Sequence, residues 1–143
     1  MSDSEHLKPL LIGMAQSDGG RGRPLLPSSD GGSGAADRLM RIADMDRDEY
    51  LASFRRCNLL PNGHWSGPRA RLRGAKLMHE LRGRVIVLGR QTWHALWLPR
   101  VEFFGWVETG EARFILLPHP SGRNLLYNDR RNIEAARRIL RGD

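Results

Sequence analysis

The chain has 143 residues, 40% of them apolar and 27% charged, with 23 lysines and arginines against 16 acids for a formal charge of +7. That length suits one domain over 1–143, and that composition excludes wholesale disorder and leaves room for a core that holds without staples. A single cysteine, Cys57, excludes an internal disulfide and any four-cysteine zinc or iron–sulfur site.

All but two of the basic residues, Lys8 and Lys76, are arginine. Arginine presents a planar fork of donors that suits phosphate, although a genome rich in arginine codons gives the same bias. In either case the positive sign steers the chain toward polyanions. The first residues, Met-Ser-Asp-Ser-Glu-His, are polar and acidic and do not read as a signal peptide. The apolar runs fall short of the ~18–20 residues that span a bilayer. The expectation is a reducing intracellular compartment: cytoplasmic, at the nucleoid or virus-encoded, with no membrane partner.

In chain order, Pro9 to Ala15 reads as a short buried strand. A stretch rich in Gly, Ser and Pro follows from Ser17 to Gly34, long for a loop in a compact domain and therefore a candidate for function or disorder. A helix begins near Ser33, with Leu39, Met40 and Ile42 on its apolar side. Ser53 to Leu60 reads as a second strand, closed by the turn signal Pro61-Asn62-Gly63. From Pro68 to Arg82 the recurrence of Leu72, Ala75, Leu77, Met78 and Leu81 predicts a helix whose first half is made basic by Arg69, Arg71, Arg73 and Lys76. Arg84 to Gly89 reads as a buried strand with a glycine stop, and Gln91 to Leu98 as a helix stopped by Pro99. Ala112 to Pro118 is a further strand. Asn128 to Arg141 closes the chain as a helix with Ile133, Ala136 and Leu140 as its apolar stripe. Strands alternating with helices predict an α/β fold, a three-layer sandwich with a central, mostly parallel four-stranded sheet flanked by helices. In such a sheet ligands bind at the carboxyl ends of the strands. Three unusual loops should meet there: Gly13–Ser17, Cys57–Pro61 and His119–Asn124.

The last of these carries the most chemistry. His119 stands at a strand tip, Pro120 fixes the backbone, Ser121-Gly122 permits a sharp turn, and Arg123 projects from it. An arginine on a short rigid loop suits phosphate contact or insertion between bases; a solvated turn has the same composition. Asn58 offers a donor and an acceptor, enough to read a base edge or to cap a turn. The other histidines, His6, His64, His79 and His94, lack metal-ligand spacing. Trp65, Trp93, Trp97 and Trp106 read as core or rim aromatics before base platforms. No GxGxxG or GxxxxGK[ST] phosphate fingerprint is present, which disfavours a nucleotide-processing enzyme.

In its order of motifs the chain resembles the uracil-DNA glycosylase superfamily over nearly its whole length. His119-Pro-Ser-Gly-Arg-Asn124 is similar to the His-Pro-Ser-x-Arg-Asn run of the single-strand-selective monofunctional branch, and Asn58-Leu-Leu-Pro61 to its Asn-Leu-x-Pro run. Gly13-Met-Ala-Gln-Ser17 resembles the Gly-x-x-Pro-Gly motif of branches with alanine at the third position, with Gln16 for proline and Ser17 for glycine. Gly22-Arg-Pro-Leu25 resembles a Gly-Arg-Pro-Phe run, and Ser33-Gly34 before a helix also matches. The resemblance implies a monofunctional DNA glycosylase that flips uracil or a related modified pyrimidine out of DNA and hydrolyses its N-glycosidic bond.

The implied roles fall on named residues. His119 stabilises the departing base, and Asn58 reads its edge, with Ala15, Gln16 and Leu25 lining the base site. Arg123, with Ser121 and Asn124, wedges into the DNA, while Arg69, Arg71 and the arginines of the last helix hold phosphates. Ala15 stands where other branches keep a water-positioning Asn or Asp, so that task passes to Asp30 or to Asp18, either of which also suits a solvated loop or a helix cap. The implied partner is DNA, the working unit a monomer, and no metal or organic cofactor is called for. The competing expectation, motivated by residues 15–17, is a DNA-binding relative that has lost catalysis or changed specificity.

Overall fold

A computed structural model describes residues 8–15, 34–60, 65–120 and 125–142, with backbone alone for Ala15 and Leu125. The first strand, β1 (Leu10–Ala15), is followed by helices α1 (Ala35–Ala43) and α2 (Arg47–Ser53) and strand β2 (Arg55–Leu60). Helix α3 (Gly67–Leu77), strand β3 (Gly83–Leu88) and helix α4 (Arg90–Ala95) come next. Strands β4 (Trp106–Thr109) and β5 (Ala112–Leu117), a 3-10 turn (Leu125–Asn128) and α5 (Arg130–Leu140) complete the chain.

The strands lie in the order β2-β1-β3-β5-β4. Four of them, β2, β1, β3 and β5, run parallel, and β4 pairs antiparallel with β5 at one edge. The α/β sandwich expected from the sequence is thus present with a fifth strand added. β4 escapes a reading of hydrophobic pattern because Trp106, Glu108 and Thr109 are exposed and Val107 alone is half-buried, so no alternation shows. Helix α2 escapes it for a similar reason, since Tyr50 is its one buried residue. The first residue of the expected second strand, Ser53, is the last of α2, and the strand itself starts at Arg55.

Period-two alternation divides the sheet between two cores. Leu10, Ile12, Val85, Val87, Phe114 and Leu116 face α3 and α4, packing with Ala70, Leu77, Trp93 and Leu96. Leu11, Ile86, Leu88 and Leu117 face the other layer, against Leu39, Ile42, Tyr50, Ala136 and Leu140. The stripe expected on α5 is the one that packs.

The stripe expected between 68 and 82 packs only in its second half, where Leu77 is buried and Met78 and Leu81, beyond the end of α3, are half-buried against the core. Leu72 is 68% exposed and Ala75 is exposed, while Ala70, Gly74 and Leu77 are buried. The cause is backbone approach: a Cβ on Gly74 would lie 2.0 Å from the Ala95 carbonyl oxygen, so α3 meets α4 through its smallest residues and turns Leu72 outward.

Side chains finish the helix ends. Asp46 Oδ1 accepts from the Glu49 N–H at 2.8 Å and Asp129 Oδ1 from the Arg131 N–H at 2.9 Å, satisfying donors that an N-terminus leaves open. At α1's C-terminus, Arg137 Nε donates to the Ile42 carbonyl and Arg141 Nε to that of Ala43, both at 2.7 Å. Arg84 Nη2 donates to the Ile139 carbonyl at 2.7 Å and does the same for α5. No described helix is long and apolar enough to cross a membrane.

Candidate functional site

Parallel pairing brings the carboxyl ends of β2, β1, β3 and β5 to one side of the sheet, as the sequence leads one to expect. Asn58 lies near the end of β2, half-buried and in register with Gly13 of β1. His119 follows β5, half-buried between the buried residues Pro118 and Pro120. Two strands, β1 and β3, separate β2 from β5, so these residues stand three strand spacings apart, about 14 Å.

Each strand in between has a glycine near its carboxyl end, Gly13 two residues before β1 ends at Ala15 and Gly89 just after β3 ends at Leu88. Gly13 has no side chain beside Asn58. Gly89, just past β3, takes φ +94°, a conformation that favours glycine, and a Cβ there would lie 3.4 Å from that of His119. A larger residue at 89 would be strained by that backbone and would bring its Cβ into van der Waals contact with the His119 side chain. The Gly89 N–H donates to the Leu117 carbonyl at 2.8 Å, which ties the ends of β3 and β5 together. Below the histidine, Tyr127 donates its hydroxyl to the Pro118 carbonyl at 2.7 Å and fixes the strand exit. Gly89 reads in sequence only as a strand stop. A glycine immediately after a fully buried strand is the one signal that marks it as the seat of a neighbouring side chain.

Burial lowers the pKa of His119 below its ordinary value, so its imidazole is neutral at neutral pH. Next to Asn58, burial pushes the Cys57 thiol up to about 11, against the opposing pull of Arg73 and Arg55. Cys57 is accordingly a protonated, inert thiol rather than a nucleophile. This edge of the sheet thus carries a neutral imidazole at one side and an amide at the other, with a glycine on each of the two strands between them.

Of the expected site residues, Asn58 and His119 share this edge. Ala15 ends β1 there and brings no polar group. Gln16, Asp18, Leu25, Asp30, Ser121, Arg123 and Asn124 lie outside the described residues. Arg69 is exposed in the first turns of α3, where Ser66 Oγ caps the helix through the Arg69 N–H at 3.4 Å. Arg71 is already engaged: its guanidinium lies 3.7 Å from the Trp97 ring centroid and meets His94 Nε2. Arg137 and Arg141 of the last helix, expected to hold phosphates, are committed to the carbonyls of α1. Trp93 is buried, as a core aromatic should be, whereas Trp97 and Trp106 are 57% and 52% exposed. Among the described residues no group of His, Cys, Asp and Glu is placed to hold a metal ion.

The sequence matches no protein-family model and no curated protein.

Proposed function

We propose that the protein is a monofunctional DNA glycosylase that hydrolyses the N-glycosidic bond of uracil, or of a related modified pyrimidine, after the base is flipped from its stack. The observation that carries this reading is that a neutral, half-buried His119 and a half-buried Asn58 stand at the same edge of the sheet, with Gly13 beside Asn58 and Gly89 beside His119. A pyrimidine ring is flat and carries donors and acceptors on its edge. It needs an amide to read that edge and a neutral donor at the oxygen where charge gathers as the base departs.

In this mechanism the Asn58 amide pairs with O4 and N3–H of the flipped base. The His119 ring donates a hydrogen bond to O2, and it strengthens as the uracilate forms. A neutral imidazole does this without surrendering a proton, which is why its burial matters. Ala15 has no polar atom to orient water, so an aspartate from elsewhere, Asp30 or Asp18, takes that task. The partner is DNA, the working unit a single chain, and the compartment that of the genome.

Cleavage of single- and double-stranded oligonucleotides carrying one uracil, developed with alkali at abasic sites, tests the reading. Strand scission by the wild type, lost in His119→Ala and Asn58→Ala, is the expected result. Salt-sensitive DNA binding with uracil left intact would sink it in favour of the second reading, a DNA-binding relative without catalysis. The apolar Ala15 at the end of β1 is the observation that keeps that reading in play.

A further inference from the structure

Trp97 has no part in the candidate site, yet its conformation is costly. Its φ is +63°, a left-handed backbone that bulky residues rarely adopt, and its side chain is 57% exposed. Three interactions hold it there. Its indole N–H donates to the Arg71 carbonyl at 2.8 Å, its backbone N–H to the His94 carbonyl at 3.0 Å, and the Arg71 guanidinium stacks on the ring. An aromatic ring is thereby held in a fixed pose at the surface, where burial does not account for the strain.

The ground beside it is cationic. Helix α3 carries Arg69, Arg71, Arg73 and Lys76, and neither α3 nor α4 contains an acid. Arg69, Arg73 and Lys76 are exposed and spaced i, i+4, i+7, so they form one stripe with steps of about 6 and 4.5 Å along the helix axis. At 3.6 residues per turn this stripe runs along the side of α3 away from Arg71, and Leu72, 68% exposed, stands on the open arc between the stripe and the residue that holds the tryptophan.

We propose that the ridge formed by α3 and the end of α4 is a track for single-stranded nucleic acid, with a base stacked on Trp97 and neighbouring phosphates held by Arg69, Arg73 and Lys76. A row of cations one helix width from a rigid aromatic ring lets a single strand cross the ridge with a base on the ring and its next phosphates on the row, binding without reading sequence. A paired base hides its faces, so a duplex gains nothing from the ring. An acidic protein meets the exposed cations equally well but brings no flat base to the ring. This inference rests on the reading that the protein works on DNA, and it extends that reading to the strand beside the target.

The test measures binding of a fluorescent 12-residue oligothymidine and of an abasic strand of equal length by anisotropy. The proteins are the wild type, Trp97→Gly, Arg73→Gln and Lys76→Gln, each checked for folding by circular dichroism. Glycine removes the ring and accepts the left-handed backbone. Trp97→Gly is expected to bind oligothymidine roughly tenfold more weakly and the abasic strand unchanged. Arg73→Gln and Lys76→Gln should each reduce the slope of log affinity against log salt by about 0.7 on both strands.

Unchanged oligothymidine binding by folded Trp97→Gly, or equal weakening on the two strands, overturns the proposal. Unchanged salt slopes in both exposed-charge variants do so as well, whether or not Trp97→Gly folds. Displacement of oligothymidine by polyglutamate as readily as by itself would assign the ridge to acidic protein instead. A wild type that releases uracil yet binds single strands independently of Trp97 refutes the track and leaves the glycosylase reading standing. Binding through Trp97 with no release of uracil does the reverse.

Discussion

His119 couples the site to pH through a simple sign. Its folded pKa lies below the ordinary histidine value, so on acidification the unfolded chain takes up its proton first. The neutral ring's contribution is therefore complete above about pH 6.5 and declines as pH falls from there toward the folded pKa. Urea unfolding at pH 7.5 and 5.5 should show a smaller loss of stability in His119→Gln than in the wild type. Thr92 gives a second residue-level prediction. It is fully buried, and its hydroxyl has no hydrogen-bond partner among the described residues. Thr92→Val removes an unsatisfied polar atom at nearly constant shape, so it should be neutral or stabilise by up to about 1 kcal/mol in urea titrations. Neither feature is visible in sequence, because burial on a short helix such as α4 follows from what packs over it. That Asn58 and His119 come to the same edge of the sheet was legible, His119 because it follows the apolar run of β5 and Asn58 because the turn signal Pro61-Asn62-Gly63 closes its strand. The closeness of Gly89 to His119 was not, because it comes from neighbours in the sheet rather than in the chain.

Between elements, the closest approach is that of α3 and α4. Gly74→Ala would drive a methyl group into the Ala95 carbonyl, an obstacle of backbone that no rotamer change relieves. A loss of about 2–3 kcal/mol is expected in chemical denaturation, with the Trp97 fluorescence environment disturbed as the helices part. Apolar spacing at Leu72 and Ala75 pointed to a different buried face, because hydrophobic period alone cannot tell that a helix will dock through a glycine. The strands were far easier to read. β3 is a continuous run, Val85 to Leu88, buried on both faces of the sheet, the pattern that central parallel strands require. β4 lies at the edge, and its exposed Trp106 is sheltered by the Arg113 guanidinium stacked 3.9 Å away rather than by a core. The arginines of α5 show the same limit from another side. Sequence gives their charge, while their targets, the last carbonyls of α1, lie 95 and 98 residues away along the chain.

At the scale of the molecule, the charge of +7 predicts attraction to any polyanion, but the structure divides the arginines by what already holds them. Replacing Arg69 with Gln should lower the salt slope of single-strand binding by about 0.7 with little change in stability. Replacing Arg137 with Gln should leave the slope alone and cost roughly 1 kcal/mol of stability, because it uncaps α1. Salt titration by anisotropy, paired with urea melts, separates the two classes. The strand order carries a further consequence, in the timing of synthesis. β1 is made early yet lies inside the sheet, between β2 and β3, and His119 takes its place only when β5 has docked against β3. A nascent chain that has not passed Ala112 already displays the cationic α3 but has only the Asn58 side of the candidate site. The cationic helix is thus complete before the two sides of the candidate site can meet, and the last parallel strand to leave the ribosome is the one that brings them together.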